Sequence, residues 1–108
     1  MQIVKCKESD KENSIKYLLT QDNKEIGHGY IFAREINPIE IYIIEEMRSN
    51  GYGKLLFTKL LQIAYDSGRV NLVFDIELQN YRMNNILSSL GAQHIGTNDE
   101  KNRWVIPV

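Results

Sequence analysis

The chain has 108 residues and a formal charge of −1, with 43% hydrophobic and 25% charged residues, which fits one soluble globular domain. The near-zero charge excludes a basic field of the kind that binds nucleic acid, and the single cysteine, Cys6, excludes an internal disulfide. No apolar run suits a signal peptide or a bilayer span. We therefore expect one domain over residues 1–108, in the cytoplasm and without membrane attachment.

The first part of the chain predicts strands in antiparallel style. Ile15, Tyr17 and Leu19 alternate along one face of a half-buried strand. In the next strand Gly27 and Gly29 share a face that another element can approach closely. A polar turn separates these two strands. The predicted strands cover residues 2–6, 14–20, 25–34 and 39–44.

The apolar period then changes to three and four residues, which is typical of amphipathic helices. The strand between the two predicted helices is largely apolar, as in a sheet interior with both faces covered. A strand-helix-strand step implies a parallel pair with a right-handed crossover. The fold class is therefore α/β, a mixed, mostly antiparallel sheet with two main helices. The predicted helices cover residues 51–66 and 80–90, and the strands cover 70–76, 93–96 and 104–108.

The loop at residues 48–53, Arg-Ser-Asn-Gly-Tyr-Gly, joins a strand directly to the first helix. The first N–H groups of a helix have no partner inside it and carry the positive end of the dipole, and Gly51 and Gly53 let an anion come close. Arg48 can add a charge or brace the loop. The alternative is that the two glycines only make a tight strand-to-helix turn.

A family resemblance rests on this loop and on the second helix. Residues 41–56, IYIIEEMRSNGYGKLL, resemble motif A of the GCN5-related N-acetyltransferases (GNATs), in which an apolar strand end leads into Arg/Gln-x-x-Gly-x-Gly/Ala and a long helix. Residues 80–92 resemble motif B, in which Asn begins a helix that ends in Gly and an aromatic residue. The resemblance implies the GNAT-like acyl-CoA N-acyltransferase fold, with acetyl-CoA as co-substrate and no metal.

By this resemblance the loop amides hold the CoA pyrophosphate. The strand end at Ile43 and Ile44 offers backbone groups to the pantetheine arm, like an added β-strand. Asn80 and Met83 line the other side of that arm. The predicted loop residues are Arg48, Ser49, Asn50, Gly51, Tyr52, Gly53 and Lys54.

The sequence departs from the family pattern in three places, the last of which concerns the acceptor side. Leu87 stands where the family often has a tyrosine that protonates the leaving thiolate, and Ala92 replaces the aromatic residue after Gly91. Family members usually have two helices between their first two strands, whereas here only the polar stretch 7–14 separates them. The acceptor side is therefore either open or completed by another chain.

Glu40 is the predicted general base, because it lies in the strand leading to the loop; the alternative is a solvated surface carboxylate. His28 is the next candidate, since imidazole titrates where a base is useful. No His, Cys, Asp or Glu cluster has metal-ligand spacing. We predict an enzyme that transfers the acetyl group of acetyl-CoA to a primary amine of a small molecule or protein. The alternative function is a non-catalytic module that senses CoA or binds a partner.

Association into a homodimer is a further expectation. Tyr17, Tyr30 and Phe32 put more apolar surface on the early strands than two helices can easily cover, and a second copy would cover it. In the alternative, the stretch 7–14 folds over this face, although it offers nothing apolar to bury.

Overall fold

Two antiparallel sheets and two α-helices make up the computed structural model, which describes residues 1–107 and confirms the predicted α/β class. The first sheet holds β1 to β4 in chain order, at Gln2–Lys5, Ser14–Gln21, Lys24–Phe32 and Ile39–Ile43. A short 3₁₀ turn, Glu45–Met47, follows β4. The remaining elements are α1 Tyr52–Asp66, β5 Leu72–Glu77, α2 Tyr81–Ser89, β6 Gln93–Asn98 and β7 Lys101–Ile106. The second sheet has the order β5-β7-β6.

Two tight turns set the strand registers. The turn predicted before residue 25 is confirmed as a two-residue hairpin between β2 and β3. A second hairpin joins β6 to β7, with Asp99 and Glu100 at φ 50° and 61°. The sequence pattern missed this turn because it contains no glycine. β7 therefore begins earlier than the predicted range 104–108, of which Val108 lies outside the described residues.

Asn37 holds the two sheets together where β4 and β5 begin to diverge. Its backbone N–H donates to the Val73 carbonyl (2.9 Å), and its side-chain Oδ1 accepts the Asp75 N–H (2.9 Å). Within residues 1–107 one isolated parallel bridge, between Ile36 and Val73, links the sheets. The predicted parallel pair is thus reduced to this bridge, because β4 and β5 belong to separate sheets beyond it.

Helix α1 covers one face of the first sheet. A Cβ atom on Gly29 would lie 2.6 Å from the Leu60 Cδ1 atom, so the missing side chain is what lets the helix approach. The close approach predicted at the glycines of β3 is therefore confirmed. The approaching element is α1 at Gly29 and β4 at Gly27, where an added Cβ would lie 2.8 Å from the Ile43 Cδ1 atom. The buried residues of the helix are Leu56, Phe57, Leu60, Leu61 and Ala64.

The opposite face of the first sheet carries Tyr30 and Phe32, which are only 4% and 6% exposed. The Lys11 Nζ lies 4.7 Å from the centre of the Tyr30 ring, and the Arg34 guanidinium lies 3.9 Å from the centre of the Phe32 ring. Charged side chains thus cover the rings with their stems and cationic groups. The prediction that these aromatic residues leave a bare face was therefore wrong, because Lys11 of the loop between β1 and β2 covers Tyr30 and Arg34 covers Phe32. The dimer itself stays a prediction.

Strand β5 has one buried face and one open face. Leu72 and Phe74 on one face are buried, whereas Val73 and Asp75 on the other face are partly exposed. The prediction that both faces are covered was therefore wrong, because the second face carries Val73 and Asp75, neither of which is buried. The strand also begins later than predicted.

The second helix begins at an amide cap. The Asn80 Oδ1 accepts the Met83 N–H at 3.2 Å, so α2 runs over Tyr81–Ser89, inside the predicted range 80–90. Its buried residues, Ile86 and Leu87, join the core. None of the helices in residues 1–107 has the length and apolar character to span a bilayer.

Candidate functional site

A cleft of about 410 Å³ opens where β4 and β5 diverge. Ile41 and Ile43 of β4 form one wall. Asp75 and Ile76 of β5, with Met83 of α2, form the opposite wall. The divergence of β4 and β5 beyond Asn37 is therefore the structural cause of the cleft. Met83, a predicted binding residue, lines this cleft.

The cleft-facing backbone groups of β4 belong to Ile41 and Ile43. The Ile44 N–H donates to the Ile26 carbonyl on β3 (2.9 Å), and alternation along the strand then turns the backbones of Ile43 and Ile41 away from β3. The Ile44 carbonyl accepts the Met47 N–H at 2.8 Å. Of the two predicted edge residues, Ile43 faces the cleft, whereas the Ile44 backbone is engaged within the chain and Ile41 takes its place.

The first turn of α1 borders a second cavity of about 310 Å³. Gly51 adopts the left-handed conformation at φ 81° and supplies no side-chain cap. The Leu55 N–H donates to the Gly51 carbonyl (3.2 Å), so the amides of residues 52–54 have no acceptor one turn earlier. Together with the positive end of the helix dipole, these amides make this end of the helix a candidate anion site.

The predicted loop residues before Gly51 shape the turn from inside the chain. The Arg48 Nε donates to the Ile43 carbonyl (2.9 Å), which braces the loop against the end of β4. The Asn50 Nδ2 donates to the carbonyls of Met47 and Arg48, both at 3.2 Å. Ser49 has a positive φ of 66°, which places it in the bend itself. These side chains hold the loop so that the helix amides stay open.

The two cavities form one groove. They share residues from β4, the loop and α2, among them Ile43, Gly53 and Arg82. A Cβ atom on Gly53 would lie 3.7 Å from the Cδ1 atoms of both Ile41 and Ile86, so Gly53 forms the floor between β4 and α2.

Three cations border the anion end of the groove: Arg48, Lys54 and Arg82. Arg82 was missed by the sequence analysis. The available signal was its four-residue spacing from Ile86, which puts both on the side of α2 that borders the groove. Asn80, predicted as a binding residue, lines the cleft while its side chain caps α2.

A third cavity, of about 400 Å³, lies against the covered face of the first sheet. Lys11, His28 and Tyr30 line it, together with Glu40 and Tyr42. Glu40 and Tyr42 also line the cleft. We refer to this space as the acceptor-side cavity, because it meets the cleft at the strand that carries the predicted base.

Glu40 is held between two cations. Its Oε1 accepts from the Lys11 Nζ (3.0 Å), and its Oε2 accepts from an Arg34 Nη (2.8 Å). Partial burial alone would raise the pKa of the Glu40 carboxyl, but the hydrogen bonds and charges of Lys11 and Arg34 together hold that pKa below its usual value. At neutral pH Glu40 is therefore a paired carboxylate and a weak base. No local pattern marks either partner of Glu40, because both pairs form only in the folded chain.

His28 shares the acceptor-side cavity with Glu40. Its Nδ1 lies 3.3 Å from the Glu25 Oε2, and its ring centre lies 5.2 Å from that of Tyr42. A carboxylate at one ring nitrogen orients an imidazole so that the other nitrogen is available for proton transfer. The structure thus brings both candidate bases to one cavity.

Leu87, at the position where the family resemblance expects a tyrosine, is fully buried in the core. Tyr42 is the phenol that lines both the cleft and the acceptor-side cavity, whereas Tyr81 is 73% exposed. In residues 1–107 no group of three or more His, Cys, Asp or Glu side chains is placed to hold a metal ion.

Solved structures of known proteins share this architecture. Mutant forms of the spermidine/spermine N-acetyltransferase from Vibrio cholerae match 91% of this chain and 69% of theirs, with 12% identity and a TM-score of 0.72. A Bacillus anthracis protein assigned as a streptothricin acetyltransferase, solved in complex with acetyl coenzyme A, matches 92% of this chain and 65% of its own (18% identity, TM-score 0.70). An acetyltransferase of the GNAT family from Streptococcus pneumoniae matches 89% and 67% (20% identity, TM-score 0.64).

No protein-family model and no curated protein sequence matches the chain. The structural matches define the fold class as that of the acetyltransferases. More narrowly, the chain has the GNAT fold, as predicted from its loop and second helix. At these identities the likeness concerns the fold.

Proposed function

We propose that this chain, as one domain over residues 1–108, binds acetyl-CoA in the groove and transfers its acetyl group to a primary amine. The observation that carries the proposal is the continuity of the groove, from the open amides of α1 to the edge of β4. CoA requires both ends of the groove. Its pyrophosphate needs the N–H donors and cations at α1, and its pantetheine arm suits the strand edge at β4. The match to a fold solved with acetyl coenzyme A supports the same proposal.

In this proposal acetyl-CoA lies along the groove with its pyrophosphate at the start of α1 and its thioester toward β4. The pyrophosphate accepts from the amides of residues 52–54, and Lys54 and Arg82 add charge. The pantetheine amides pair with the backbone groups of Ile41 and with the Ile43 N–H, which are free at the edge of β4, whereas the Ile43 carbonyl is held by Arg48. The thioester then lies toward the part of β4 where the cleft and the acceptor-side cavity meet.

The chemistry is direct attack of a neutral amine on the thioester carbonyl. The C–N bond forms, the C–S bond breaks, and CoA leaves as the thiol once its thiolate takes a proton. The free Ile43 N–H at the strand edge is our candidate donor to the oxyanion. Glu40, or a water that it orders, accepts the proton of the amine, with His28 as the second candidate. Tyr42 is our candidate proton donor to the thiolate.

A second function, a CoA-sensing or partner-binding module without turnover, is favoured by two specific observations. Leu87 fills the core where the family resemblance expects a proton donor. Glu40 already bonds two cations and is a weak base while it does so. Neither observation affects the anion end of the groove, so both functions require CoA binding.

A calorimetric titration with CoA and acetyl-CoA, followed by thiol release against a panel of small amines and lysine peptides, tests the proposal. We expect binding of both nucleotides and turnover with at least one amine. Binding without thiol release would favour the second function. The absence of binding would refute the assignment of the groove. Gly51→Val should abolish the binding of both nucleotides. Gly68→Val is its matched control, because Gly68 also has positive φ (91°) but lies at the opposite end of α1.

Location and assembly complete the proposal. We retain a cytoplasmic location, which the single cysteine suits, and a homodimer whose second copy would complete the acceptor side. The buried aromatic rings of the first sheet do not support that dimer, so its contact surface has to be another part of the chain.

A further inference from the structure

Lys11 places a primary amine inside the acceptor-side cavity. Its Nζ is 3.0 Å from the Glu40 Oε1 and 4.7 Å from the centre of the Tyr30 ring. Glu40 and Tyr42 border both this cavity and the cleft in which we place acetyl-CoA. The Lys11 ammonium group is therefore hydrogen-bonded to Glu40, a side chain that also lines the cleft in which we place acetyl-CoA.

The loop that carries Lys11 is fixed at both ends of its turn. The Asp10 carboxylate accepts from the Tyr30 hydroxyl at 2.9 Å. The Ser14 Oγ donates to the Lys11 carbonyl (2.7 Å) and lies 2.6 Å from the Ser9 Oγ. These bonds hold the Lys11 backbone against the sheet, so its amine does not depend on a freely moving loop to reach the cavity.

A carboxylate and an aromatic face are the groups that recognise an ammonium ion in proteins. Lys11 is held by this pair of groups, in the cavity where an external amine would be received. The hydrogen bond to Glu40 raises the pKa of the Lys11 ammonium, so this amine must lose a proton before it can attack. Glu40 and His28 are the bases in the same cavity.

We propose that Lys11 is an internal acceptor, and that the chain acetylates its own Lys11 Nζ from bound acetyl-CoA; this inference rests on the proposed function. The neutral Nζ attacks the thioester carbonyl, an amide bond forms, the C–S bond breaks and CoA leaves. The proton of the amine passes to the base and the thiolate is protonated to the thiol. No other reactant is required.

Acetylation changes the cavity because it removes the charge of Lys11. The neutral amide no longer forms an ion pair with Glu40 or a cation–π contact with Tyr30. Glu40 then keeps Arg34 as its partner and gains a free oxygen for an external ammonium. The modification therefore converts an occupied acceptor site into an open one, and KM for external amines falls.

The test incubates the full chain with acetyl-CoA and no acceptor, and then measures intact mass and maps the modified peptide. We expect one acetyl group, on Lys11, added at a rate constant that does not depend on protein concentration. Lys11→Arg should abolish it. Lys16→Arg is the matched control, because the Lys16 Nζ is 5.7 Å from the Tyr30 ring centre and Lys16 does not line the cavity.

Two further measurements separate this proposal from the proposed function. Gly51→Val, which disrupts the donor site, should stop the modification, whereas uncatalysed acetylation would persist. Turnover of an external amine with unmodified Lys11 would overturn the internal acceptor and leave the proposed function intact. Acetylation spread equally over Lys11 and Lys16 would also overturn it. A chain that binds no acetyl-CoA would overturn both proposals.

Discussion

Gly51 and Gly53 begin the same helix, but the structure predicts opposite effects when each receives a side chain. Gly51 has φ 81° with no atom within 4 Å of an added Cβ, so the space is open but the conformation disfavours a side chain. Gly53 has no such conformational restriction, but an added Cβ would contact Ile41 and Ile86 at 3.7 Å and Ile43 at 3.9 Å. One methyl group fits at Gly53, and a branched side chain does not.

The expected magnitudes follow from these two environments. Gly53→Ala should stabilise the chain by about 0.5–1 kcal/mol, because alanine favours the helix, and should leave CoA affinity nearly unchanged. Gly51→Ala should destabilise it by about 1–2 kcal/mol, the usual cost of a left-handed backbone with a Cβ. Gly53→Val should cost about 1–3 kcal/mol through overpacking of the groove floor.

Gly53→Val should also weaken CoA binding. Its extra methyl groups enter the groove beside the open amides, and loss of one hydrogen bond to a charged phosphate costs about 1.5–3 kcal/mol, or roughly ten- to a hundredfold in Kd. Urea unfolding gives the stability and calorimetry gives the affinity. Gly68→Ala should reproduce the stability loss of Gly51→Ala without changing CoA binding. A folded Gly53→Val protein with unchanged CoA affinity would refute the placement of the groove.

Three further predictions concern charge, proton transfer and assembly. Arg82→Ala should weaken CoA binding about tenfold and flatten its dependence on salt. Lys5→Ala, on β1 at the opposite edge of the first sheet from β4, should change neither. Equal effects of the two substitutions would remove Arg82 from the site. Glu40→Gln should lower kcat without changing CoA affinity. Lys11→Met removes one of the cations that lower the pKa of Glu40. This variant should therefore move the acidic limb of the pH profile of kcat to higher pH. Equal rates for Glu40→Gln and wild type across pH would exclude Glu40 and make His28 the candidate base. Sedimentation at low micromolar concentration should show a dimer, and a clean 12.6 kDa species would contradict it.

Local patterns were sufficient to predict the elements and the anion end of the site. The three- and four-residue period placed α1 and α2 within one or two residues of their observed ends, because helix formation and capping depend on neighbours in sequence. The loop from Arg48 to Gly53 was identifiable for the same reason, since open helix amides and a positive-φ glycine are properties of one short segment. The hairpin at Asp99 and Glu100 was missed because its backbone conformation lacks the usual glycine.

The sequence by itself therefore determined the fold class, the helices and the loop that carries the predicted anion site at Gly51, all of which depend on short-range periodicity and backbone freedom. The tertiary structure decided how β4 and β5 separate at Asn37, and so where the cleft lies. It also decided that Glu40 is paired with Lys11, 29 positions earlier, and with Arg34. Contacts of this kind form between segments that are distant in sequence, so no local pattern reports them. The loop that covers Tyr30 shows the same principle, because charged side chains bury an aromatic ring only once the sheet has brought the two together.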